Sequence, residues 1–578
     1  MKRLSPNVIA GLWLLALTIL AFWLRWPALS TEGFHNEDAA GIAYNADLLR
    51  HGLLPLIDNV DMKAPGSFYL SAFFWSILGR SLTSLQTAAA LWSVLGMIGI
   101  FVGGRILYGV TAGCVAATLY ALAAPITDSI DINYGAWMIT PYIWATVCFL
   151  WSIKTGRGRW LLATGVLLAM AGLMKRQAAV LFPLFFAGIF VQRWISWPED
   201  WEGFPDWRRS VGFLFGGLAL GFAPIFLWYA SQGGLRGFLD SYAFSKDGWR
   251  YVKGSQGLSE RMARLGDGLL GFFEYVALPT VLASFTAVMA CRPSSKWTAR
   301  GIFLTVFLLL SFVGAALGLR FFKGYYLHVL PALVWIAAHP KGPIGQWFDS
   351  ELWVGTRRVL LSLGAVLVLV AVTSPAAIGD GHELIKIRKR RAVARDHLPQ
   401  KIAQYIKKNS ESKDRIWVWG RWAWPVYFHA DRLAATRYPK TLGVFTTTLT
   451  NTWRRPTKNT AFDPKSPWPK LIEQLKTDKP VFIVLSHNES YRKFKALNAL
   501  LRSDYHAVKS LKARGFSIYR LGKKVKSHKA RPKGTNSTNQ RPFKTKTNRV
   551  KGPRLEAIKR GEGVLQPSPP TSPRFDSK

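Results

Sequence analysis

The chain has 578 residues, of which 49% are hydrophobic, and it carries a formal net charge of +42 and three cysteines. Its apolar residues form long runs over the first two thirds, and several runs approach the roughly 20 residues that cross a bilayer. These totals predict a multi-span membrane protein and exclude a simple array of soluble domains. They also argue against a nucleic-acid partner, because the positive charge lies in short loops and a tail without a recognisable nucleic-acid module.

Hydropathy predicts a mainly α-helical, polytopic protein with about eleven transmembrane helices. The first is predicted to be an uncleaved span rather than a signal peptide, because its apolar run is long and ends in an aromatic interface signature. The cysteines lie in or beside spans, so we expect neither a structural disulfide nor a Cys/His metal site. The predicted spans lie near residues 7–26, 84–107, 111–126, 135–153, 159–174, 177–193, 210–230, 269–291, 301–319, 324–339 and 357–375.

Basic loops give the predicted orientation, because positive charge favours the cytoplasmic side of a membrane. The N-terminus and the basic segments at 154–159, 292–300 and 357–358 all fall inside. Everything after about residue 376 then falls on the outer face of the membrane. We expect this membrane to be the inner (plasma) membrane of the cell. The predicted division is a transmembrane domain at 1–376, a basic linker at 377–395, an extracytoplasmic α/β domain at 396–522 and a disordered basic tail at 523–578.

Two short features support the last two divisions. Apolar segments at 415–420, 480–485 and 515–520 predict strands, with helical patterns at 469–476 and 491–502. The tail is rich in Lys, Arg, Ser, Thr and Pro and lacks the apolar residues that would form a core, so it is predicted to be disordered.

Two adjacent carboxylates, Glu37 and Asp38, follow the first span and precede an amphipathic run at 42–54. Carboxylates beside a bilayer are costly to desolvate, so a retained pair indicates chemistry or ion binding. We expect the pair to supply a general base that deprotonates a hydroxyl, and the pattern leaves open which of the two acts. An acidic, solvated loop is the alternative interpretation.

Further charged and aromatic residues fall on the same predicted outer face. The second outer loop contains Asp128 and Asp131, and either could supply a second acid that binds an acceptor or assists the base. Cations in these loops suit a phosphate, and tyrosines suit a sugar or a prenyl chain. Snorkelling cations in an aromatic belt are the alternative. The predicted substrate-binding residues are Lys63, Lys175, Arg320, Lys323, Tyr325 and Tyr326.

In their order along the chain, these motifs resemble the bacterial membrane glycosyltransferases of the GT-C superfamily, in the branch similar to protein mannosyltransferases and aminoarabinose transferases. The resemblance runs to about residue 522. It is carried by Glu37-Asp38, Lys63-Ala64-Pro65, Met174-Lys175-Arg176-Gln177, the segment 320–326 with Leu330-Pro331, the segment 415–420 and Tyr427-Phe428.

The resemblance implies an inverting sugar transfer from a polyprenyl-phosphate donor on the outer membrane face. Glu37 falls where the family usually has Asp, and Asp38 where it often has Glu. Lys63 falls at the position of the phosphate-contacting lysine, although Ala64 replaces the usual proline. For the family's second-loop acid, the resemblance implies Asp131 rather than Asp128, so Asp131 is the predicted second acid. The implied partners are this donor, membrane lipid and an acceptor glycan, lipid or protein. The sequence requires no cofactor, although the carboxylates are able to hold a divalent metal.

Two other classes of function are consistent with many spans. A transporter or flippase for a lipid-linked or anionic solute would carry charged residues at mid-bilayer and broken helices in an inverted repeat. A non-catalytic envelope scaffold would use the outer domain and the tail. A single outer cavity lined by Glu37, Asp38 and Lys63 would favour the enzyme.

Overall fold

The described part of the protein combines a bundle of apolar helices with a small α/β domain. In a computed structural model, residues 5–522 are described except for 62, 193, 196, 205, 243–256, 291–298, 344–381, 383, 387–388, 390–393, 421, 447–459 and 512. The predicted span at 357–375 and the tail at 523–578 lie outside the described residues. Residues Met1–Lys524 form one contact unit that includes both the bundle and the α/β domain, and the four-part division stays a prediction.

The bundle consists of apolar helices, and several of them are long enough to cross a membrane. The chain is therefore a multi-pass membrane protein. Among the described residues, α1, α4, α6, α9 and α13 are long and apolar enough to cross a membrane, and a bent pair adds a sixth. The number of eleven spans stays a prediction. The helices are α1 (Pro6–Leu29), α2 (Glu37–Arg50), α3 (Gly66–Leu78), α4 (Leu82–Tyr108), α5 (Val110–Ile126), α6 (Tyr134–Thr155), α7 (Arg159–Met174), α8 (Phe182–Val191), α9 (Trp207–Ser231), α10 (Leu235–Tyr242), α11 (Leu258–Tyr275), α12 (Ala277–Ala290), α13 (Ala299–Ala316) and α14 (Leu330–Ala337).

One predicted span differs from a single helix. The sequence predicts a span over 269–291, but α11 and α12 meet there at 100°. The two helices together are apolar enough for one broken span, so the span at 269–291 stays a prediction and the bend inside it is a new finding. The first part of α11 lies outside the predicted span and carries Glu260, Arg261 and Arg264, whereas α12 contains no charged residue. Such a charged segment is costly to insert in a bilayer and favours a surface orientation.

Two other predicted spans begin with a tighter turn. A 3₁₀ helix at Arg176–Leu181 precedes α8, and another at Lys323–Tyr325 precedes α14. Lys175 of the predicted site directly precedes the first turn, and Lys323 and Tyr325 lie in the second, so these residues lie on irregular backbone at helix ends.

Glycines allow a close contact between the backbones of α7 and α9. A Cβ atom on Gly217 would overlap the carbonyl of Leu162, and one on Gly165 would overlap the carbonyl of Leu214. Small residues at these positions let the two backbones approach, as in other membrane helix pairs.

The α/β domain contains a four-stranded sheet. Its strand order is β1-β3-β6-β5, with β1 parallel to β3 and β6 antiparallel to both of its neighbours. The three predicted strands are confirmed as β1, β3 and β6. The strands are β1 (Ile416–Trp419), β2 (Thr460–Ala461), β3 (Phe482–Ser486), β4 (Glu489–Ser490), β5 (Tyr505–Ala507) and β6 (Phe516–Leu521).

Alternating side chains bury both faces of this sheet. Trp417 and Trp419 pack in one apolar cluster with α17 (Trp468–Asp478) and α18 (Lys495–Asp504), and these two helices confirm the predicted helical patterns. Ile416 and Val418 pack in the other cluster with α15 (His397–Lys408) and α16 (Ala423–Ala430). The second cluster also contains the bundle helices, so this face of the sheet joins the α/β domain to the bundle.

Candidate active site

The acidic pair begins α2. Asn36 precedes the helix, and its side-chain oxygen accepts a hydrogen bond from the Ala39 amide at 2.7 Å, which fixes the start of the helix. Glu37 is half-buried, whereas the Asp38 side chain is 56% exposed. The next ten residues of α2 are buried on all sides, so this helix is enclosed rather than exposed along one face.

Lys63 contacts Asp38 directly. Its ammonium lies 3.2 Å from the Asp38 carboxylate and 4.6 Å from the centre of the Tyr134 ring. Burial acts to raise the pKa of Asp38, but the cations Lys63, Lys440 and Lys175 overcome it and hold that pKa below its usual value. Asp38 is therefore an anion at neutral pH. The structure brings together this predicted base and the predicted phosphate-binding lysine.

Lys175 lies at the end of α7 and faces the same group of charges. Its ammonium lies 4.4 Å from the centre of the Tyr325 ring. Burial, followed by repulsion from Lys63, lowers the pKa of Lys175 to about 7, although Asp38 and Asp128 act to raise it. Gly66 permits the approach of these two lysine-bearing segments, because a Cβ atom there would lie 2.8 Å from the Leu173 carbonyl.

Lys323 pairs with the second predicted outer loop. Its ammonium lies 3.3 Å from the carboxylate of Asp128, which also accepts a hydrogen bond from Asn133 at 3.2 Å. Asp128 has a left-handed backbone (φ 68°), a conformation that Asp tolerates better than most residues. The two loops that carry Asp128 and Lys323 therefore meet at this end of the bundle.

Asp131, the predicted second acid, is fully buried. Its carboxylate accepts a hydrogen bond from the side-chain amide of Asn36 at 3.3 Å. Because Asn36 caps α2, this contact links Asp131 to the start of the helix that carries Glu37 and Asp38. Its position suits support of the α2 start better than direct contact with a substrate.

Arg320 and Tyr326 have different surroundings. Arg320 is half-buried between Leu319 (φ 50°) and Phe321 (φ 46°), a strained backbone of the kind often found at functional sites. Tyr326 is fully buried, and its hydroxyl donates to the carbonyl of Gly268 at 2.6 Å. The structure therefore packs Tyr326 against α11, and its contact with a ligand stays a prediction.

Two residues of this group of charges, Asp61 and Lys440, were missed by the sequence analysis. Asp61 is buried, accepts a hydrogen bond from the Lys63 amide at 3.3 Å and lies 3.8 Å from the ammonium of Lys440. Asp61 lies in the charged turn before Lys63, so its proximity in sequence was a usable signal. Lys440 belongs to the α/β domain, and no local pattern links it to a loop almost 400 residues earlier.

The α/β domain encloses α2. The indole of Trp424 packs against Gly41, and the ring of Tyr44 lies 5.0 Å from that of Tyr427. The Ala434 amide donates to the Tyr44 hydroxyl at 2.9 Å. The helix that carries the acidic pair is therefore held by the same domain that supplies Lys440.

The site, which we call the charged cleft, is the group formed by Asp38, Asp61, Lys63, Lys175 and Lys440. It holds the exposed Asp38 carboxylate among cations that come from distant parts of the chain. A carboxylate in this setting can accept a proton, and the cations can stabilise a phosphate oxygen. Within the described ranges, no group of three or more His, Cys, Asp or Glu residues has the geometry to hold a metal ion.

The fold and one sequence segment match known proteins. Residues 62–201 match the model of the family described as dolichyl-phosphate-mannose-protein mannosyltransferase. The structure of ArnT from Cupriavidus metallidurans bound to undecaprenyl phosphate has a TM-score of 0.57 at 14% identity, over 88% of this chain and 97% of ArnT. Its apo structure has a TM-score of 0.59 at 14% identity, over 88% of this chain and 98% of ArnT.

A third match is more distant. The oligosaccharyltransferase AglB from Archaeoglobus fulgidus, in complex with an inhibitory peptide and a dolichol-phosphate, has a TM-score of 0.52 at 12% identity, over 87% of this chain and 73% of AglB. No sequence of a curated protein matches this chain.

The chain resembles the GT-C membrane glycosyltransferases of the ArnT and protein-mannosyltransferase type. The predicted resemblance is confirmed. At these low identities the likeness establishes the GT-C fold, and the charged cleft supplies the argument for a particular reaction.

Proposed function

We propose that this protein transfers a sugar from a polyprenyl-phosphate donor to an acceptor at the extracytoplasmic face of the inner membrane. The observation that carries the proposal is the Asp38–Lys63 ion pair, in which a partly exposed carboxylate lies 3.2 Å from an ammonium. A sugar phosphodiester needs both groups, because one takes a proton from the nucleophile and the other stabilises the phosphate that leaves.

Asp38 is the proposed general base. The acceptor hydroxyl or amine gives its proton to the Asp38 carboxylate while its oxygen or nitrogen forms a bond to the anomeric carbon. The bond from that carbon to the phosphate oxygen breaks, and the polyprenyl phosphate leaves with the electron pair. Attack opposite the leaving group inverts the anomeric configuration. Glu37, which is half-buried at the first position of α2, flanks the base.

Lys63 links donor binding to the activity of this base. When a donor phosphate binds Lys63, it competes with Asp38 for the same ammonium, which now pairs with Asp38 at 3.2 Å. Loss of this pairing raises the pKa of Asp38 and makes it a stronger base. The proposed donor-binding group further includes Lys175, Tyr325, Lys323 and Arg320, which lie on the loops that meet at this end of the bundle.

The proposed partners follow from the same chemistry. The donor is a polyprenyl-phosphate sugar, in keeping with the undecaprenyl phosphate and dolichol-phosphate bound by the structurally similar ArnT and AglB. The acceptor is a glycan, lipid or protein that reaches the cleft from the extracytoplasmic side, where the α/β domain also lies. The predicted concentration of basic loops on the opposite, cytoplasmic side of the membrane supports this orientation.

The arrangement of charge favours an enzyme over a transporter. Asp38, Lys63, Lys175 and Lys323 all lie on loops or helix ends rather than at the middle of a long span. Transporters place such groups near the bilayer midplane.

Donor turnover tests the proposal. Membranes that contain the full-length protein would be incubated with a panel of polyprenyl-phosphate hexoses and pentoses, and release of polyprenyl phosphate would be followed with and without added divalent metal. We expect release from at least one donor and loss of that release in Lys63→Met. The matched control is Lys154→Met, at the end of α6 away from Tyr134, which should release polyprenyl phosphate as the wild type does. No release above control membranes with every donor would contradict the proposal.

A further inference from the structure

Arg25 is a buried cation in an apolar helix. It lies near the C-terminal end of α1 and is 2% exposed, in a helix that contains no other charged residue. A guanidinium in such a place is costly, so its contacts must offset a large desolvation penalty.

The contacts of Arg25 are all with neutral oxygens. One terminal nitrogen donates to the Ser93 hydroxyl at 2.6 Å and to the carbonyl and hydroxyl of Ser129 at 3.2 and 3.4 Å. The other donates to the Ala21 carbonyl at 3.2 Å. No carboxylate pairs with Arg25 among the residues for which the structure gives contacts. The cation therefore serves to join α1 and α4 to the loop that contains Ser129.

That loop, residues 127–133, also contacts the residue that precedes the acidic pair. Asp131, two residues after Ser129, accepts a hydrogen bond from the Asn36 side chain at 3.3 Å. Asn36 in turn accepts from the Ala39 amide at 2.7 Å and so fixes the first turn of α2, which carries Glu37 and Asp38. Ser129 and Asp131 are both buried, so this part of the loop has little freedom to move without its partners.

We propose that Arg25 is a positioning residue for the base. It holds the loop 127–133 against the bundle, the loop holds Asn36 through Asp131, and Asn36 holds the start of α2. The role in catalysis rests on the proposed function, whereas the positioning of α2 by Arg25 is a structural claim that is measurable without turnover.

Hydrogen exchange and kinetics test this inference on the full-length protein. Arg25→Met keeps the apolar length of the side chain and removes every donor. Arg25→Lys restores a charge with fewer donors. Arg105→Met is the matched control, because Arg105 is an exposed cation near the C-terminal end of α4. The double variant Ser93→Ala/Ser129→Ala removes two acceptors and leaves Arg25 in place.

We expect faster amide exchange at 36–41 and 127–133 in Arg25→Met and wild-type exchange there in Arg105→Met. Turnover in Arg25→Met should fall about 100-fold with little change in the donor KM, as for an ångström-scale displacement of a reacting group. Arg25→Lys should recover part of this loss. The double variant should lose about 10-fold, the effect of one hydrogen bond to a charged group.

The proposed function and the positioning role of Arg25 are contradicted by different results. If no donor is turned over by the wild type, the proposed function is wrong, and the exchange pattern still tests the positioning role. Unchanged exchange at 36–41 and 127–133 in folded Arg25→Met overturns the inference. If Arg25→Met does not fold, the double variant is the test, and wild-type exchange and turnover in that variant overturn it. Equal loss of donor affinity and turnover would also contradict a positioning role.

Discussion

The hydroxyl of Tyr44 accepts a hydrogen bond from the backbone amide of Ala434 at 2.9 Å, across nearly 400 residues of chain. Tyr44 lies in α2, two turns after Asp38, and Ala434 lies in the α/β domain. The contact joins the candidate base to a domain that sequence analysis treats as a separate unit. The α/β domain is therefore part of the architecture of the cleft.

Removal of this hydroxyl should loosen α2. Tyr44→Phe leaves the buried Ala434 amide without its acceptor, which costs about 1–3 kcal/mol in the free energy of unfolding. Thermal unfolding in detergent measures the loss. Tyr491→Phe, in the other apolar cluster of the α/β domain, is the matched control and should unfold as the wild type does. Equal melting temperatures for Tyr44→Phe and the wild type would contradict the account.

An ion pair between half-buried Arg80 and buried Asp47 also joins the helix bundle to the α/β domain. Arg80 makes two hydrogen bonds to the carboxylate of Asp47 in α2, at 2.7 and 2.5 Å, and lies 3.3 Å from Asp431 of the α/β domain. Arg80→Ala leaves the buried Asp47 carboxylate with Arg50 alone. Because Arg80 is half-buried and Arg50 remains, we expect a loss of about 1–3 kcal/mol in the free energy of unfolding, the range for hydrogen bonds to a charged group.

A double variant that also removes the charge of Asp47 separates the effect of the unpaired charge on stability from the effect of lost packing. Arg80→Ala/Asp47→Asn removes both charges, so it should be more stable than Arg80→Ala in the same thermal assay. If the double variant is no more stable than the single one, the cost of Arg80→Ala comes from lost packing on Trp75 and Phe428 rather than from the unpaired carboxylate.

Lys175 should make donor binding depend on pH. Its pKa is lowered to about 7, so the ammonium is present below that pH and is lost above it. A bound phosphate favours the charged form, so binding takes up a proton above pH 7. The donor affinity should then fall by up to about ten-fold per pH unit.

The control for this effect keeps the charge. Lys175→Arg carries a guanidinium that stays protonated, so its donor affinity should change little from pH 7 to pH 9. Measurement of donor KM across this range with the wild type and Lys175→Arg tests the sign. A wild-type affinity that is constant, or that rises with pH, would rule out a phosphate contact by the Lys175 ammonium.

Lys440 should contribute to binding rather than to chemistry. It lies 3.8 Å from Asp61 and attracts Asp38, and its side chain is partly exposed. Lys440→Ala should raise a substrate KM about five-fold, as expected for a partly exposed charge contact of about 1 kcal/mol, with little change in kcat. Lys476→Ala, on the exposed face of α17, is the control. A large fall in kcat with unchanged KM would give Lys440 a different role.

Local signals predicted much of the fold. The strands at 416–419, 482–486 and 516–521 are short apolar runs, and the pattern shows them directly. The break between α11 and α12 was missed because hydropathy averages over a window and does not register a change of direction at Val276.

The candidate site divides in the same way. Asp38 and Lys63 were predicted because each lies in a charged motif beside a span. Tyr326 was assigned to the ligand because its motif is aromatic, but its hydroxyl bonds to Gly268, and only tertiary packing sets that direction. Lys440 and Arg25 depend on contacts with residues far away in the sequence, which composition and periodicity do not encode.

Release of polyprenyl phosphate by Asp38→Asn and Glu37→Gln tests the central claim most directly. The amide keeps the shape of Asp38 but is a poor proton acceptor, so turnover should fall about 100- to 10,000-fold, with donor still bound. Glu37→Gln should keep most of its activity. Wild-type turnover in folded Asp38→Asn would contradict the assignment of this carboxylate as the base.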